Sequence, residues 1–125
     1  MIACDTSTLA AFLAGDPSAP DVVKLRRALQ EAVLVLPPAA LAEATSNPAT
    51  RSAAQNLFAG LPLLEPQPDY WLRVGAARAA LMARGLKARL ADALIAQSCI
   101  DAGAALITRD HDFRHYAAHC GLVLA

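Results

Sequence analysis

The sequence predicts an α/β protein, a three-layer α/β/α sandwich with a central parallel sheet of about five strands. Two observations predict this fold class. Five short apolar runs recur along the chain, and the segments between them are long enough for crossover helices. The runs are continuous rather than alternating in polarity, as in parallel strands buried on both faces. They comprise residues 1–4, 32–36, 61–64, 104–108 and 122–124.

Length and composition predict a single domain over residues 1–125. Hydrophobic residues make up 56% of the chain and charged residues 18%, which is typical of a compact globular protein and excludes a disordered one. The 11 basic and 11 acidic residues cancel. A nucleic-acid partner would therefore have to be held by local basic patches.

The sequence also predicts a cytoplasmic protein without a membrane span. No basic segment precedes an apolar one at the start, and no apolar run approaches the length of a membrane helix. The three cysteines, Cys4, Cys99 and Cys120, are odd in number and lie in apolar surroundings. We expect reduced thiols rather than a disulfide framework.

Helix signals separate the first three apolar runs. The hydroxyl of Ser7 or of Thr6 can cap a first helix. The Pro37-Pro38 pair favours the start of another helix, which carries Glu43 in its first two turns. Further helices are predicted over residues 21–30 and 51–58.

In the second half, a long helix is expected over residues 70–84, capped by Asp69 and ended by Gly85. The segment 90–100 is apolar nearly all round, which predicts a buried helix with Asp92 in its first turn. A last helix is predicted through Tyr116.

Acidic residues gather where the predicted strands end. Asp5 follows the first strand, Glu43 lies above the second, and Asp110 and Asp112 follow the fourth. Asp92 begins the buried helix that leads into that fourth strand. The carboxyl ends of parallel strands meet at one edge of a sheet, so these side chains are expected to share one site.

Each acid also has an ordinary structural explanation. Asp5 can cap a helix, and Glu43 can be an exposed helix residue. Asp92 is favoured by the positive end of its helix, and Asp110 and Asp112 are common turn residues. The group as a whole is harder to explain in this way, because several converging carboxylates repel one another. A divalent cation such as Mg²⁺ or Mn²⁺ relieves that repulsion, which predicts metal-dependent phosphoryl chemistry.

Four short motifs occur in a fixed order along the chain. They are Cys-Asp-Thr-Ser-Thr-Leu at 4–9, Leu-Ala-Glu at 41–43, Ala-Asp-Ala-Leu-Ile-Ala at 91–96 and Thr-Arg-Asp-His-Asp-Phe at 108–113. Each is weak alone, but all four in this order are specific. With them the whole chain resembles the PIN-domain ribonucleases, and within these the VapC-type toxins of toxin–antitoxin pairs.

The resemblance implies an endoribonuclease that depends on Mg²⁺ or Mn²⁺ and cleaves structured RNA such as tRNA or rRNA. It also implies a cognate antitoxin protein that inhibits the enzyme, and we expect a homodimer. By motif position, the catalytic quartet would be Asp5, Glu43, Asp92 and Asp110, with Asp5 and Asp92 as direct metal ligands. Accessory roles would fall to Asp112, Ser7 and Thr108.

Basic residues cluster between Asp69 and Asp92, where no acid occurs. This segment either holds the RNA backbone or is an ordinary solvated helix face. Arg109, beside the carboxylates, either binds phosphate or pairs with Asp110 or Asp112. The candidate RNA-binding residues are Arg73, Arg78, Arg84, Lys87, Arg89 and Arg109.

Three other interpretations remain open. A catalytically silent RNA-binding module could keep the same fold and acids. A phosphoacceptor domain is disfavoured because Asp5 stands alone after the first strand and no lysine follows Lys87. A transition-metal site on the histidines spaced by four is less favoured than a surface role. These are His111, His115 and His119.

Overall fold

Seven helices surround a short parallel sheet in the computed structural model, which describes all 125 residues. The α/β fold class is the one that the sequence predicts. In chain order the elements are β1 (Ile2–Cys4), α1 (Thr6–Leu13), α2 (Pro20–Gln30), β2 (Leu34–Val35), α3 (Pro38–Ala44), α4 (Arg51–Phe58), α5 (Tyr70–Met82), α6 (Leu90–Ala102), β3 (Ala105–Ile107) and α7 (Phe113–His119).

Strand β1 lies at the centre of the sheet, in the order β2-β1-β3. Its neighbours run parallel to it, with Ala3 opposite Val35 and Leu106. Ala3, Cys4 and Leu106 are fully buried, which explains why these strands read as continuous apolar runs.

The sheet has three strands rather than about five. The expected outer strands, 61–64 and 122–124, contribute one bridge each, between Leu36 and Leu63 and between Leu106 and Leu124. Pro62 has no N–H to donate to a strand ladder. Leu63 and Leu124 are exposed, so burial of their side chains does not favour a longer strand in either segment.

Helix α6 is the most buried helix, as its apolar sequence predicts. Ala93, Ile95, Ala96 and Cys99 are almost fully buried in the hydrophobic core. The helix packs against α3, α5, α7 and β3. Gly103 ends it in the left-handed conformation at φ 66°, and β3 starts two residues later. The first turn of α6, with Asp92, is thereby held beside the sheet.

The structure decides between the caps that the sequence allows for α1 and differs from the prediction at α5. Asp5, rather than Thr6 or Ser7, caps α1, because its extended backbone lets the carboxylate accept from the Thr8 N–H. Asp69 occupies the N-cap position of α5 but its side chain makes no capping hydrogen bond. Its backbone is left-handed at φ 63°, not the extended conformation that capping side chains use. Helix α5 also ends at Met82, short of the expected residue 84.

No helix of the chain is long and apolar enough to cross a bilayer. All three cysteines are free, with Cys4 and Cys99 buried and Cys120 partly buried. Burial raises the pKa of the Cys99 thiol to about 12, so this group is inert at neutral pH.

Replacing Ala32 with glycine is expected to stabilise the fold. Ala32 adopts φ 56° in the turn before β2, a left-handed conformation that costs a residue with a Cβ about 1 kcal/mol or more. Thermal unfolding should therefore show a gain of roughly 1 kcal/mol for Ala32→Gly. The matched control Ala53→Gly, on the exposed side of α4, should lose about 1 kcal/mol. Equal losses in both variants would contradict this account of the turn.

Candidate functional site

The sheet register places Asp5 beside Thr108. Cys4 of β1 is opposite Ile107 of β3, so the next residue of each strand emerges at the same carboxyl edge. The Asp5 N–H donates to the Ile107 carbonyl over 3.2 Å, and the Thr108 hydroxyl donates to Asp5 Oδ2 over 2.6 Å. Two residues 103 positions apart in sequence are thereby fixed together.

Asp5 is 3% exposed and held by three donors. Besides Thr108, the Thr8 N–H donates to Oδ1 over 3.1 Å, and the Ser7 hydroxyl lies 2.8 and 2.9 Å from the two oxygens. A carboxylate has about four acceptor positions, so one remains for a water or a cation. Burial raises the pKa of Asp5, and these hydrogen bonds counteract that effect.

A second group of carboxylates lies at the same edge. One oxygen from each of Asp92, Asp110 and Asp112 lies within 4.8 Å of the other two. Asp92 comes from the first turn of α6, whereas the other two follow β3. The loop is held in shape because Thr108 Oγ1 accepts from the Asp110 N–H over 3.0 Å, and Asp110 Oδ1 accepts from the Asp112 N–H over 2.9 Å. We call these three residues the acidic trio.

Asp92 is the acid most perturbed by this arrangement. Its partial burial and the negative charges of Asp110, Glu43 and Asp112 raise its pKa to about 6, and Arg89 lowers it only in part. Near neutral pH Asp92 is ionised, although the negative charges of its neighbours make the ionised form unfavourable. A bound cation would offset this electrostatic repulsion.

Glu43 reaches the site from α3. The Thr6 hydroxyl donates to Glu43 Oε1 over 2.7 Å, which joins the start of α1 to α3. Glu43 lies near enough to Asp92 to raise its pKa. The four acids of the predicted quartet therefore come from four places in the chain and act electrostatically on one another.

The donor set fits a hard divalent cation. The ligand oxygens around one Mg²⁺ lie at most about 4.2 Å apart, given metal–oxygen distances near 2.1 Å. The oxygens of the acidic trio lie within 4.8 Å of one another, so a small approach would let them share one ion. Carboxylate oxygens without histidine or cysteine match Mg²⁺ or Mn²⁺ rather than Zn²⁺ or Cu²⁺.

The structure places the two predicted metal ligands, Asp5 and Asp92, in different groups of side chains. Asp92 belongs to the acidic trio, as a direct ligand would. Asp5, the other expected ligand, lies outside the trio, whereas Asp112, expected to be accessory, lies within it. The hydroxyls of Ser7 and Thr108 both donate to Asp5, and the accessory roles of these two residues stay a prediction.

The candidate RNA-binding residues fall into two groups. Three of them form ion pairs: Arg73 with Asp101, Arg109 with Asp21 and Lys87 with Asp112. The Arg78 Nε donates to the Ala88 carbonyl. The three exposed basic residues Arg84, Lys87 and Arg89 lie in the segment that leads to Asp92. Lys87 Nζ is 3.6 Å from a carboxylate oxygen of Asp112, and Arg89 is close enough to Asp92 to lower its pKa.

Two site contacts were missed in the sequence. The sequence predicts Thr6 only as a helix cap, whereas its hydroxyl also donates to Glu43. Arg109 donates two hydrogen bonds to Asp21, and not to Asp110 or Asp112 as the sequence suggests. No sequence signal identifies either contact, because both join residues from separate elements. No histidine belongs to a group of three potential metal ligands, and His111 lies outside α7.

Replacing Thr108 with valine tests the supporting role of its hydroxyl. The variant keeps the β-branched shape but removes the donor to Asp5 and the acceptor for the Asp110 N–H. We expect about 1–3 kcal/mol less stability and about 10- to 100-fold weaker binding of Mn²⁺, measured by denaturation and calorimetry. Thr50→Val is the matched control, because Thr50 makes no capping hydrogen bond at the start of α4. Equal effects at both positions would exclude this role.

Comparisons with known proteins agree with this fold. The PIN domain family model matches residues 2–119. The crystal structure of VapBC2 from Rickettsia felis, bound to a DNA fragment from their promoter, contains a chain that is similar in fold, with a TM-score of 0.76. At 19% identity, the alignment covers 100% of this chain and 98% of that one. No curated protein matches. Because the family model covers nearly the whole sequence, the chain belongs to the PIN-domain family.

Proposed function

We propose that the chain is an endoribonuclease toxin that hydrolyses phosphodiester bonds of structured RNA, such as tRNA or rRNA, with Mg²⁺ or Mn²⁺. The observation that carries this proposal is the acidic edge of the sheet. Carboxylates from the ends of β1 and β3, from α3 and from the start of α6 meet there. No ion pair within the chain neutralises Asp5, Glu43, Asp92 or Asp110.

Asp92, Asp110 and Asp112 would hold the cation, and the remaining acceptor position of Asp5 would add a further contact. A divalent ion bound there would orient the scissile phosphate, polarise its oxygen and lower the pKa of the attacking water. The Ser7 and Thr108 hydroxyls keep Asp5 in one orientation. Thr6 does the same for Glu43, which is free to accept a proton from a water that approaches the phosphate.

Lys87 and Arg89 are best placed to hold the RNA backbone. Both are exposed, and the segment that carries them ends at α6, whose first turn holds Asp92. Arg89 is close enough to lower the pKa of Asp92, which places its charge near the acids. Phosphate contacts of this kind fix the position of RNA without reading its sequence. Arg84 is exposed nearby. Lys87 would exchange its 3.6 Å contact with Asp112 for a phosphate, and Arg73 and Arg109 would have to leave their ion pairs with Asp101 and Asp21.

The toxin role further requires a cognate antitoxin. Its support is the likeness in fold to a chain of the VapBC2 complex, together with the four motifs. We expect the reading frame immediately upstream to encode a small DNA-binding protein. Purified in complex with that protein, the chain should show no RNA cleavage, because the antitoxin would cover the acidic edge.

Cleavage of a labelled structured RNA tests the enzymatic proposal. The wild-type chain should cleave this RNA with Mg²⁺ or Mn²⁺. Cleavage should stop when EDTA is added. Asp5→Ala and Asp92→Ala should be inactive, while Asp16→Ala, at an exposed turn after α1, should retain full activity. Cleavage that survives EDTA and both site substitutions would rule out the proposal. RNA binding without cleavage by the wild type would favour a catalytically silent module.

A further inference from the structure

A small polar cavity lies between α1, α3 and the loop that leads to α4. Its volume is about 110 Å³, and Glu43 forms one of its walls. Glu43 is also near enough to Asp92 to raise its pKa, so a ligand in this cavity would lie next to the acidic edge. We call it the Asn47 cavity, and its polar lining residues are Thr6, Glu43, Asn47 and Thr50.

Two polar side chains of the Asn47 cavity have unused hydrogen-bonding capacity. Asn47 Oδ1 accepts from the Ala49 N–H over 3.0 Å, which leaves the amide NH₂ of Asn47 without a partner in the chain. The Thr50 side chain is half-buried and makes no capping hydrogen bond at the start of α4. The Thr6 hydroxyl, in contrast, already donates to Glu43. The cavity therefore offers the amide donors of Asn47 and the hydroxyl of Thr50 to a ligand.

The loop over residues 45–50 is held in shape without a ligand. The Thr50 N–H donates to the Asn47 carbonyl over 3.2 Å. The Arg51 guanidinium donates to the Thr45 carbonyl over 2.8 Å. Because these hydrogen bonds already order the loop, a ligand that binds to Asn47 and Thr50 loses little free energy to ordering the chain.

The lining of the cavity distinguishes between the parts of a nucleotide. None of its seven residues is aromatic, so no ring is present on which a base could stack. None is basic, and the Glu43 carboxylate would repel a phosphate. Neutral donors and acceptors suit a hydroxyl group, which both donates and accepts. The part of a nucleotide that fits this cavity is therefore the sugar.

We propose that the Asn47 cavity binds the ribose of a nucleotide beside the scissile phosphate and recognises its 2′-hydroxyl through Asn47 and Thr50. The inference rests on the proposed function, because it names the sugar that the nuclease site takes. Each phosphate of the RNA backbone is bonded to two sugars, so a phosphate at the acidic edge brings a ribose close to Glu43. The 2′-hydroxyl distinguishes RNA from DNA, and its recognition here would make the enzyme select RNA.

Single 2′-deoxy substitutions in the substrate test the proposal. The cut in an end-labelled structured RNA is mapped first. The two nucleotides that flank the cut are then replaced by deoxynucleotides, one at a time. For the wild type in Mg²⁺, kcat/KM should fall by about tenfold for one of these two RNAs, because Asn47 and Thr50 lose the group that they bind. A deoxynucleotide far from the cut should have no effect.

Asn47→Ser tests whether the hydroxyl is recognised in this cavity. Serine keeps a neutral oxygen that can accept from the Ala49 N–H, but it lacks the amide donors. The variant should cleave the all-ribose RNA about tenfold more slowly and should lose most of the discrimination against the deoxy-substituted RNA. Its Mn²⁺ affinity should stay unchanged. Asn56→Ser, at an exposed position of α4, is the matched control and should behave like the wild type.

Two results would overturn the inference and leave the proposed function intact. One is equal wild-type cleavage of the all-ribose RNA and both deoxy-substituted RNAs. The other is a loss on deoxy substitution that is as large in Asn47→Ser as in the wild type. A wild type that cleaves no RNA in Mg²⁺ or Mn²⁺ would contradict the proposed function and, with it, this inference.

Discussion

Asp92→Asn is expected to stabilise the metal-free protein at about pH 7.5 while removing RNA cleavage. Burial and the charges of Asp110, Glu43 and Asp112 raise the pKa of Asp92 to about 6, so its ionised form is disfavoured in the fold. Asparagine has nearly the same shape without the charge. After allowance for solvent screening, we expect a gain of about 1 kcal/mol in the free energy of unfolding.

The same substitution should lower the cleavage rate by about 10³-fold, because a bound cation supplies several kcal/mol of transition-state stabilisation. Thermal unfolding in EDTA and cleavage in Mg²⁺ measure the two effects on one preparation. Asp16→Asn, at an exposed turn, should change neither quantity appreciably. A destabilised Asp92→Asn variant would mean that Asp92 serves the fold rather than a site.

The second large effect is a pH dependence that a divalent cation reverses. The pKa of Asp92 is about 6 in the folded protein and close to its ordinary value of 3.8 in the unfolded chain. Between these values the folded state binds more protons, so the contribution of Asp92 to stability is lost as the pH rises through this window. The raised pKa of buried Asp5 acts in the same direction.

Mn²⁺ should stabilise the protein more at about pH 7.5 than at about pH 5, because it competes with the proton on Asp92. A hundredfold excess over the dissociation constant contributes about 2.7 kcal/mol, which corresponds to a rise of roughly 10 °C in Tm for a domain of this size. Below pH 6 the affinity should fall by about tenfold per pH unit. A Tm rise that is equal at both pH values, or that persists in Asp92→Asn, would contradict the assignment of the site.

The fold class and the place of the acids could be predicted from the sequence because both follow from local patterns. The apolar character of residues 90–100 identified α6 as buried, and Gly103 marked its end. The acids after the first and fourth apolar runs indicated the carboxyl edge, where the structure places Asp5 and Asp110.

The details that depend on tertiary contacts could not be predicted. Residues 61–64 form a strand only if they pair with a neighbouring strand along their length and bury their side chains. In the structure they pair at a single bridge, between Leu63 and Leu36. The capping of α1 by Asp5 and the pairing of Arg109 with Asp21 depend on backbone angles and on distant elements. The membership of Asp112 in the acidic trio depends on the turn held by Asp110.

The central claim is that one carboxylate site binds a divalent cation and cleaves RNA with it. Its most direct test is the cleavage rate of one end-labelled structured RNA as a function of Mn²⁺ concentration, for the wild type and for Asp92→Asn. We predict a saturable, Mn²⁺-dependent rate for the wild type, and for Asp92→Asn a rate that stays near background at every concentration. A wild-type rate independent of Mn²⁺, or identical curves for the two proteins, would contradict the claim.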